Sequence, residues 1–345
     1  MFYHHRHFST KVVASRRLNH HGQSLLEAVQ KVRARLCSVP TAHSDAKALV
    51  ANAVQPPLAS SNDVYFEDER KLTRLEAAEL DRCVERRLKG EPLAYITGRK
   101  WFWSLEFNVS KDTLIPRSDS EVLIETLVEE INPETPLKIL DIGTGSGCLL
   151  LSALSEFPHA TGVGIDVCPR ALAVAKQNAI STDLATRATF LLRDLSALPG
   201  LSSSEDKTLC HRFDVILCNP PYIPRQETDL VEPEVLNYEP HLALFADGGS
   251  NLDDSEVDPE GLRMYRIVYE SVDNLFRSDA KMNRDAALAR SSDKLLILEV
   301  GSEKQAQAVR RLFSTKDPRK GLHLHFKRFL FDACGKYRGI LFLAQ

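Results

Sequence analysis

The chain of 345 residues contains no apolar run close to the roughly 20 residues that a membrane-spanning helix needs, which argues against a membrane protein. Cysteine pairs of the C-x-x-C type are also absent, because the seven cysteines are scattered, at positions 37, 83, 148, 168, 210, 218 and 334. Such spacing predicts neither a metal site nor a disulfide framework and is typical of a reducing compartment. A formal net charge of −3 leaves no excess of positive charge, so general binding to a nucleic acid backbone is not expected.

Acidic residues are missing from the beginning of the chain, where the first carboxylate is that of Glu27. The residues before it include several arginines, histidines and hydroxyl groups. A basic, hydroxyl-bearing and acid-free segment has the composition of a mitochondrial presequence. We therefore predict a presequence over residues 1–22 and a location in the mitochondrial matrix. A disordered basic tail is the alternative.

Residues 23–90 are predicted to form a small helical domain. Leucines and valines recur there at spacings of three and four residues, and prolines separate the helices. Thr73, followed three residues later by Glu76, indicates a capping box at the start of one helix. A Gly-Glu-Pro sequence then ends the helical pattern. The aromatic and β-forming residues after it predict a hairpin that links two domains across residues 91–112.

Strand and helix patterns alternate over residues 113–345, which are predicted to form the larger domain. Five short apolar runs are typical of buried strands: KILDIG (138–143), TGVGIDV (161–167), TFLLRD (189–194), FDVILCN (213–219) and KLLILEV (294–300). Helical segments between them indicate an α/β fold with a mostly parallel sheet covered on both faces. The last two apolar runs of the chain predict an antiparallel hairpin. Two polar stretches, near 248–260 and 278–293, are predicted surface insertions.

A glycine-rich turn follows the first of these strands. Its residues are Asp141, Ile142, Gly143, Thr144, Gly145, Ser146 and Gly147. Glycines let the backbone pass close to a ligand, and the helix that follows offers unpaired N–H groups. Asp166 ends the second strand about 20 residues further on, where an acid would hold a ribose diol. The turn predicts a nucleotide-type site, and a tight turn without a ligand is the alternative.

Two details of this turn favour S-adenosylmethionine over a dinucleotide. The spacing G-x-G-x-G is shorter than the dinucleotide fingerprint G-x-G-x-x-G. Asp141 stands beside the loop, where it would repel a pyrophosphate and attract the cationic sulfonium or ammonium group of S-adenosylmethionine. Asp194, at the end of the third strand, is predicted to accept a hydrogen bond from the adenine amino group. An ordinary strand-end turn residue is the alternative for Asp194.

The fourth strand runs into Asn219, Pro220, Pro221 and Tyr222. Ligands of open α/β sheets bind beyond the carboxyl ends of the strands, so this turn is expected to face the donor methyl group. The prolines stiffen the turn and present carbonyl oxygens, and Asn219 adds a side-chain carbonyl, which together give two acceptors for one NH₂ group. Such acceptors would align a weakly nucleophilic amide nitrogen with the methyl group and stabilise its developing positive charge, while Tyr222 supplies a flat wall. A rigid turn after a core strand is the alternative.

These two motifs belong to a longer series that resembles the HemK/PrmC family of protein glutamine methyltransferases, from about residue 25 to the C-terminal end. The segments follow in family order: GEPLAYITGRKWFWSLEF (90–107), TLIPRSDSE (113–121), DIGTGSG (141–147), NPPYIP (219–224), EPHLALFADGG (239–249) and LEVG (298–301). In the second segment, Ser118 and Ser120 replace a proline and a threonine of the family's I-P-R-P-D-T-E. The resemblance implies a class I S-adenosylmethionine-dependent methyltransferase fold, Rossmann-like with an antiparallel C-terminal hairpin, after a small helical domain.

The resemblance also implies roles for individual residues. The donor would be bound from Gly143 to Gly147, with Asp166 at the ribose, Asp194 and Leu195 at the adenine, and Asn219 near the methyl group. The target glutamine would contact Asn219, Pro220, Pro221 and Tyr222.

Two further residues of the resembling segments have an alternative role. Phe102 matches a family position that lines the substrate pocket, with a role in the core as the alternative. Arg117 is interpreted as a structural residue that pairs with Glu121 one turn along a helix, with a place in the donor pocket as the alternative.

The family's substrate is the glutamine of the Gly-Gly-Gln loop of peptide-chain release factors. By this resemblance the helical domain would hold the factor, and the presequence makes a mitochondrial release factor the expected partner. A monomer without a stable nucleic acid partner is expected.

Two other functions stay open. An exocyclic amine of adenine or guanine presents the same NH₂ geometry, although residues 90–345 contain no dense lysine and arginine stripe. A non-catalytic protein that binds a release factor or the ribosome would retain the fold without turnover.

Overall fold

A computed structural model describes residues 20–67, 69–200, 207–247, 258–277, 294–315 and 322–344. Nearly all of the predicted presequence and most of the two predicted polar insertions lie outside these residues. The chain divides into two compact units, residues 1–97 and residues 98–345.

The first unit is helical, as the sequence predicts. Its helices are α1 (Leu25–Arg35), α2 (Ala42–Ala53), α3 (Arg74–Leu88) and α4 (Leu93–Thr97), with a 3₁₀ helix at Ser61–Tyr65. The capping box at the start of α3 is confirmed: Glu76 N donates to Thr73 Oγ1 at 3.3 Å and Thr73 N donates to Glu76 Oε2 at 2.8 Å. The apolar faces of these helices form a core of their own.

The second unit begins with an antiparallel hairpin of β1 (Arg99–Phe102) and β2 (Leu105–Asn108). A seven-stranded sheet follows. Its strands are β3 (Lys138–Ile142), β4 (Thr161–Asp166), β5 (Ala188–Leu192), β6 (Val215–Cys218), β7 (Lys294–Glu299), β8 (Leu324–Phe331) and β9 (Tyr337–Ala344). The helices of the second unit are α5 (Glu121–Glu130), α6 (Cys148–Glu156), α7 (Pro169–Ser181), α8 (Pro233–Tyr238), α9 (His241–Leu244), α10 (Arg263–Leu275) and α11 (Glu303–Phe313).

The sheet has the order β5-β4-β3-β6-β7-β9-β8. The first five of these strands run parallel, whereas β9 is antiparallel to both β7 and β8. Two hydrophobic clusters cover the two faces of the sheet. All five predicted parallel strands and the closing antiparallel hairpin are therefore confirmed, and the methyltransferase-type fold with them.

The order of the strands places several loops at one edge of the sheet. The chain passes from β3 outward to β4 and β5, then returns to the other side of β3 with β6. Ile142, the last residue of β3, pairs with Ile165 of β4 and with Cys218 of β6. The glycine-rich turn and the Asn-Pro-Pro-Tyr turn consequently leave the sheet side by side, at the point where the strand order reverses and open α/β sheets bind ligands.

Candidate active site

The glycine-rich turn is bent tightly over the end of β4. The N–H groups of Gly143 and Thr144 both donate to the carbonyl oxygen of Ile165, each at 2.9 Å. Gly145 and Gly147 have φ angles of +55° and +83°, which only glycine adopts without a steric cost. Gly147 is also the N-terminal cap of α6, so the turn leads directly into a helix.

Asp141 lies beneath this turn rather than beside it. Its carboxylate accepts a hydrogen bond from Thr144 Oγ1 at 2.6 Å, and the residue is 1% exposed. Burial raises the pKa of Asp141 to about 7, although the hydrogen bond from Thr144 opposes this. Asp141 Oδ1 and the hydroxyl of Ser146 are buried without a hydrogen-bond partner among the residues that the structure describes. Polar atoms left unpaired in this way suit a site completed by a polar, cationic ligand such as the methionine end of S-adenosylmethionine. The predicted attraction of a cation by Asp141 stays a prediction.

Asp166 connects the turn to the next helix. Its two carboxylate oxygens accept from the N–H groups of Gly145 at 2.9 Å and Cys168 at 2.8 Å. Cys168 caps α7, so one side chain holds both the ligand loop and the start of a helix. Burial raises the pKa of Asp166, and these backbone hydrogen bonds counteract it. Asp166 is only half-buried, which leaves lone pairs of its oxygens available to a ribose diol.

Asp194 and Leu195 follow β5 at the same edge. Asp194 is exposed and caps a 3₁₀ helix, Leu195–Ala197, because its side chain accepts from Ser196 N at 2.8 Å. Leu195 is half-buried and packs against the hydrophobic cluster on one face of the sheet. The turn role proposed as the alternative for Asp194 is thus present, while contact with adenine stays a prediction for both residues.

The Asn-Pro-Pro-Tyr turn lies next to the glycine-rich turn. A Cβ atom built on Gly143 would be 3.9 Å from the backbone carbonyl oxygen of Asn219, which is an ordinary van der Waals distance, so the two turns lie side by side. The side-chain NH₂ of Asn219 donates to Ser120 Oγ at 3.2 Å. The Tyr222 hydroxyl donates to Glu299 Oε1 at 3.4 Å. Pro220 is buried, and Pro221 is half-buried.

Three residues that sequence reasoning missed support this turn. Gln305 Nε2 donates to the carbonyl oxygen of Tyr222 at 3.0 Å, and Gln305 Oε1 accepts from Gly301 N at 2.8 Å. A Cβ atom on Gly301 would lie 2.7 Å from the Tyr222 ring, and one on Gly261 would lie 2.2 Å from the Tyr222 carbonyl oxygen. Gly301 ends the LEVG segment, which was a usable signal. Gly261 and Gln305 carry no local signal.

A cavity of about 500 Å³ opens beside the Asn-Pro-Pro-Tyr turn. Its lining includes Asn219, Tyr222 and Glu299, with the cationic side chains of Arg117 and Arg338. Pro220 and Pro221 are not among the described residues that line this cavity. Asn219 therefore lines this cavity and also lies next to the glycine-rich turn.

Phe102 is not brought to this cavity. It is 1% exposed and packs edge-to-face against Phe107, with 6.3 Å between the ring centroids. Both rings belong to the hydrophobic cluster on one face of the sheet. The alternative of a core role is present in the structure, while contact of Phe102 with a substrate stays a prediction.

The predicted pairing of Arg117 with Glu121 is wrong. Arg117 precedes a 3₁₀ helix, Ser118–Ser120, and α5 begins only at Glu121, so the two side chains do not share a helical face. Arg117 pairs instead with Glu239, a fully buried carboxylate that also accepts from Ile115 N at 3.0 Å. This pair joins two chain segments at the cavity wall.

Asn178 of α7 is a further residue that sequence reasoning missed. Its Nδ2 donates to the carbonyl oxygens of Ser146 at 2.9 Å and Asn108 at 3.0 Å, and its Oδ1 accepts from Asn108 N at 2.7 Å. The side chain thereby ties the glycine-rich turn to the β1–β2 hairpin.

Within the described ranges, no helix is long and apolar enough to cross a membrane, and no group of three or more His, Cys, Asp or Glu residues is placed to hold a metal ion.

Comparisons with known proteins agree with the helical first unit and the α/β fold of the second unit. Residues 27–98 match the family model "PrmC N-terminal domain", and residues 134–257 match the model "Methyltransferase domain". Among solved structures, TrmN from Thermus thermophilus aligns over 66% of this chain and 48% of its own, with 18% identity and a TM-score of 0.37. The fold assignment rests on the strand order and on the family models.

Three curated relatives are named release factor glutamine methyltransferase. That of Caulobacter vibrioides is 36% identical over 73% of this chain and 75% of its own length. Those of Bradyrhizobium diazoefficiens and Rhodospirillum rubrum are 38% and 34% identical, over 67% and 78% of this chain and 74% and 75% of their own lengths. With the helical first unit, the methyltransferase fold and the Asn-Pro-Pro-Tyr turn beside the glycine loop, the chain belongs to the family of release factor glutamine methyltransferases.

Proposed function

We propose that this protein transfers the methyl group of S-adenosylmethionine to the side-chain amide nitrogen of the Gly-Gly-Gln glutamine in a mitochondrial release factor. The observation that carries the proposal is the position of Asn219. Its backbone carbonyl oxygen lies next to Gly143 of the glycine-rich turn, while the residue lines a cavity large enough for a glutamine side chain. A donor and an acceptor held on either side of Asn219 would meet there.

An amide nitrogen reacts slowly because its lone pair is delocalised into the carbonyl group. S-adenosylmethionine supplies an electrophilic methyl group, and the protein must supply placement. Asn219 Oδ1 would accept a hydrogen bond from one N–H of the target amide and so orient the nitrogen. Such placement lowers the activation barrier by several kcal/mol, and by about 7–11 kcal/mol at most in well-aligned reactions. The same oxygen stabilises the positive charge that the nitrogen gains when the C–N bond forms. The extra proton leaves the nitrogen after transfer, so no base is required beforehand.

The release factor is supported as substrate by the curated relatives and by the match of residues 27–98 to the N-terminal domain model. The mitochondrial partner is supported by the acid-free basic composition at the beginning of the chain. Import of a fluorescent fusion into mitochondria, lost when residues 1–22 are removed, would test the location. Cytosolic fluorescence of the full chain would refute it.

Peptide mass spectrometry of a mitochondrial release factor incubated with the purified protein and S-adenosylmethionine tests the reaction. One added methyl group on the Gly-Gly-Gln glutamine is expected, with a rate that falls by about 100-fold in Asn219→Ala, as for loss of one positioned polar contact. Asn132→Ala is the matched control, because Asn132 is exposed and its side chain accepts a hydrogen bond from the nearby Glu134 N, at 3.0 Å. Methyl transfer to RNA, with none to the release factor, would refute the proposal.

A further inference from the structure

Ser120 makes a contact with the active-site asparagine that its local position does not explain. The residue ends the 3₁₀ helix before α5 and is 3% exposed, yet among the described residues its side chain makes no capping hydrogen bond with α5. Its hydroxyl instead accepts from Asn219 Nδ2 at 3.2 Å, across 99 positions of sequence. A buried hydroxyl turned away from the helix end beside it is available for another purpose.

Glu299 lies beside the Asn-Pro-Pro-Tyr turn, where its Oε1 accepts from the Tyr222 hydroxyl at 3.4 Å. It ends β7, the strand that pairs with β6 immediately before Asn219, and it is 3% exposed. The hydroxyls of Ser120 and Tyr222 both stabilise its ionised form, against the effect of burial, which raises the pKa of Glu299 to about 7.

The hydrogen bond with Ser120 determines how the amide of Asn219 is turned. Asn219 presents its NH₂ group to the Ser120 oxygen, at 3.2 Å. The carbonyl oxygen Oδ1 then points away from Ser120, within the plane of the amide group. With the amide reversed, Asn219 would present N–H donors to the N–H donors of the substrate, which is repulsive.

We propose that Ser120 is a positioning residue that holds the Asn219 amide with its carbonyl oxygen toward the acceptor amide. This inference rests on the proposed function, because it requires an NH₂ group in the cavity. It also gives the Ser120 position a reason to bear a hydroxyl, which the threonine of the resembling I-P-R-P-D-T-E segment retains.

The test is a double-mutant cycle with the release factor as substrate. Ser120→Ala should lower kcat about 10-fold, the loss expected when one neutral orienting hydrogen bond is removed, with an unchanged Kd for S-adenosylmethionine. Ser120→Thr should restore most of the rate. In an Asn219→Ala background, Ser120→Ala should have no further effect, since Ser120 acts through Asn219.

Ser152→Ala is the matched control, because Ser152 is fully buried and its hydroxyl has no hydrogen-bond partner among the described residues. Its kcat should equal that of the wild type. Melting temperatures of all variants separate a loss of folding from a loss of rate. Full activity of Ser120→Ala, failure of threonine to restore it, or an equal further loss in the Asn219→Ala background would each overturn the inference. A wild-type protein that leaves the release factor unmethylated would overturn the proposed function first, and the inference with it.

Discussion

Substitution of Gly261 by alanine should disable the active site although Gly261 is remote from it in sequence. The backbone at Gly261 has a φ of +64°, and the added Cβ atom would lie 2.2 Å from the carbonyl oxygen of Tyr222. Ordinary contact at such a position begins at 3.4 Å, so the two atoms must separate by about 1 Å. The oxygen that moves is part of the peptide backbone of the Asn-Pro-Pro-Tyr turn, which cannot swing aside as a flexible side chain would.

The size of the effect follows from this displacement. A misplacement of about 1 Å at a reacting centre costs about 100-fold in rate. Gly261→Ala should therefore lower kcat by about 100-fold, and it should also weaken the hydrogen bond that the Tyr222 carbonyl receives from Gln305 at 3.0 Å. The glycine-rich turn is not displaced, so the Kd for S-adenosylmethionine should stay near that of the wild type.

Gly335→Ala is the control for backbone strain alone. Its φ is +76°, and a Cβ atom there meets nothing within 4 Å. It should lose about 1–2 kcal/mol of unfolding free energy from the left-handed conformation, with full activity below its melting temperature. Steady-state methylation and isothermal titration with S-adenosylmethionine, on both variants, give the comparison. Equal kcat values for Gly261→Ala and Gly335→Ala would refute the argument that Gly261 holds the turn.

Two further outcomes are expected. Asp166→Ala should weaken binding of S-adenosylmethionine by about 10- to 100-fold, because a charged hydrogen-bond acceptor that contributes about 1.5–3 kcal/mol is lost. The glycine-rich turn also loses its hydrogen bond at Gly145. Isothermal titration measures the Kd, and an unchanged Kd would contradict the assignment of Asp166 to the ribose. The unfolding free energy of the wild type should fall as the pH rises from 4.5 to about 7, because folded Glu299 keeps its proton to a higher pH than the unfolded chain. Glu299→Gln should remove up to about 3 kcal/mol of that fall in denaturant titrations across this range, whereas Glu134→Gln, at a side chain 74% exposed, should not; parallel pH curves for wild type and Glu299→Gln would show that the carboxyl is not neutral in the fold.

The sequence by itself was sufficient for the elements of the fold. Runs such as KILDIG and KLLILEV became β3 and β7, and the pattern Thr73-x-x-Glu76 became the cap of α3. These features depend on periodicity and capping within a few residues, which are legible without knowing the rest of the chain. The Asn-Pro-Pro-Tyr turn and the glycine-rich turn were predicted for the same reason, and parallel strands explain why both were expected at one edge of the sheet.

Only the tertiary structure decided which side chains meet at that edge. Arg117 was assigned to Glu121, four positions away, but its partner is Glu239, 122 positions away. Ser120 and Asn219 are 99 positions apart, and Gln305 reaches Tyr222 across 83. Such contacts depend on the order in which strands join the sheet and on the register of each pair. Neither the strand order nor the register can be predicted from a local stretch of residues, because hydrogen bonds and close packing form between residues that are near in space.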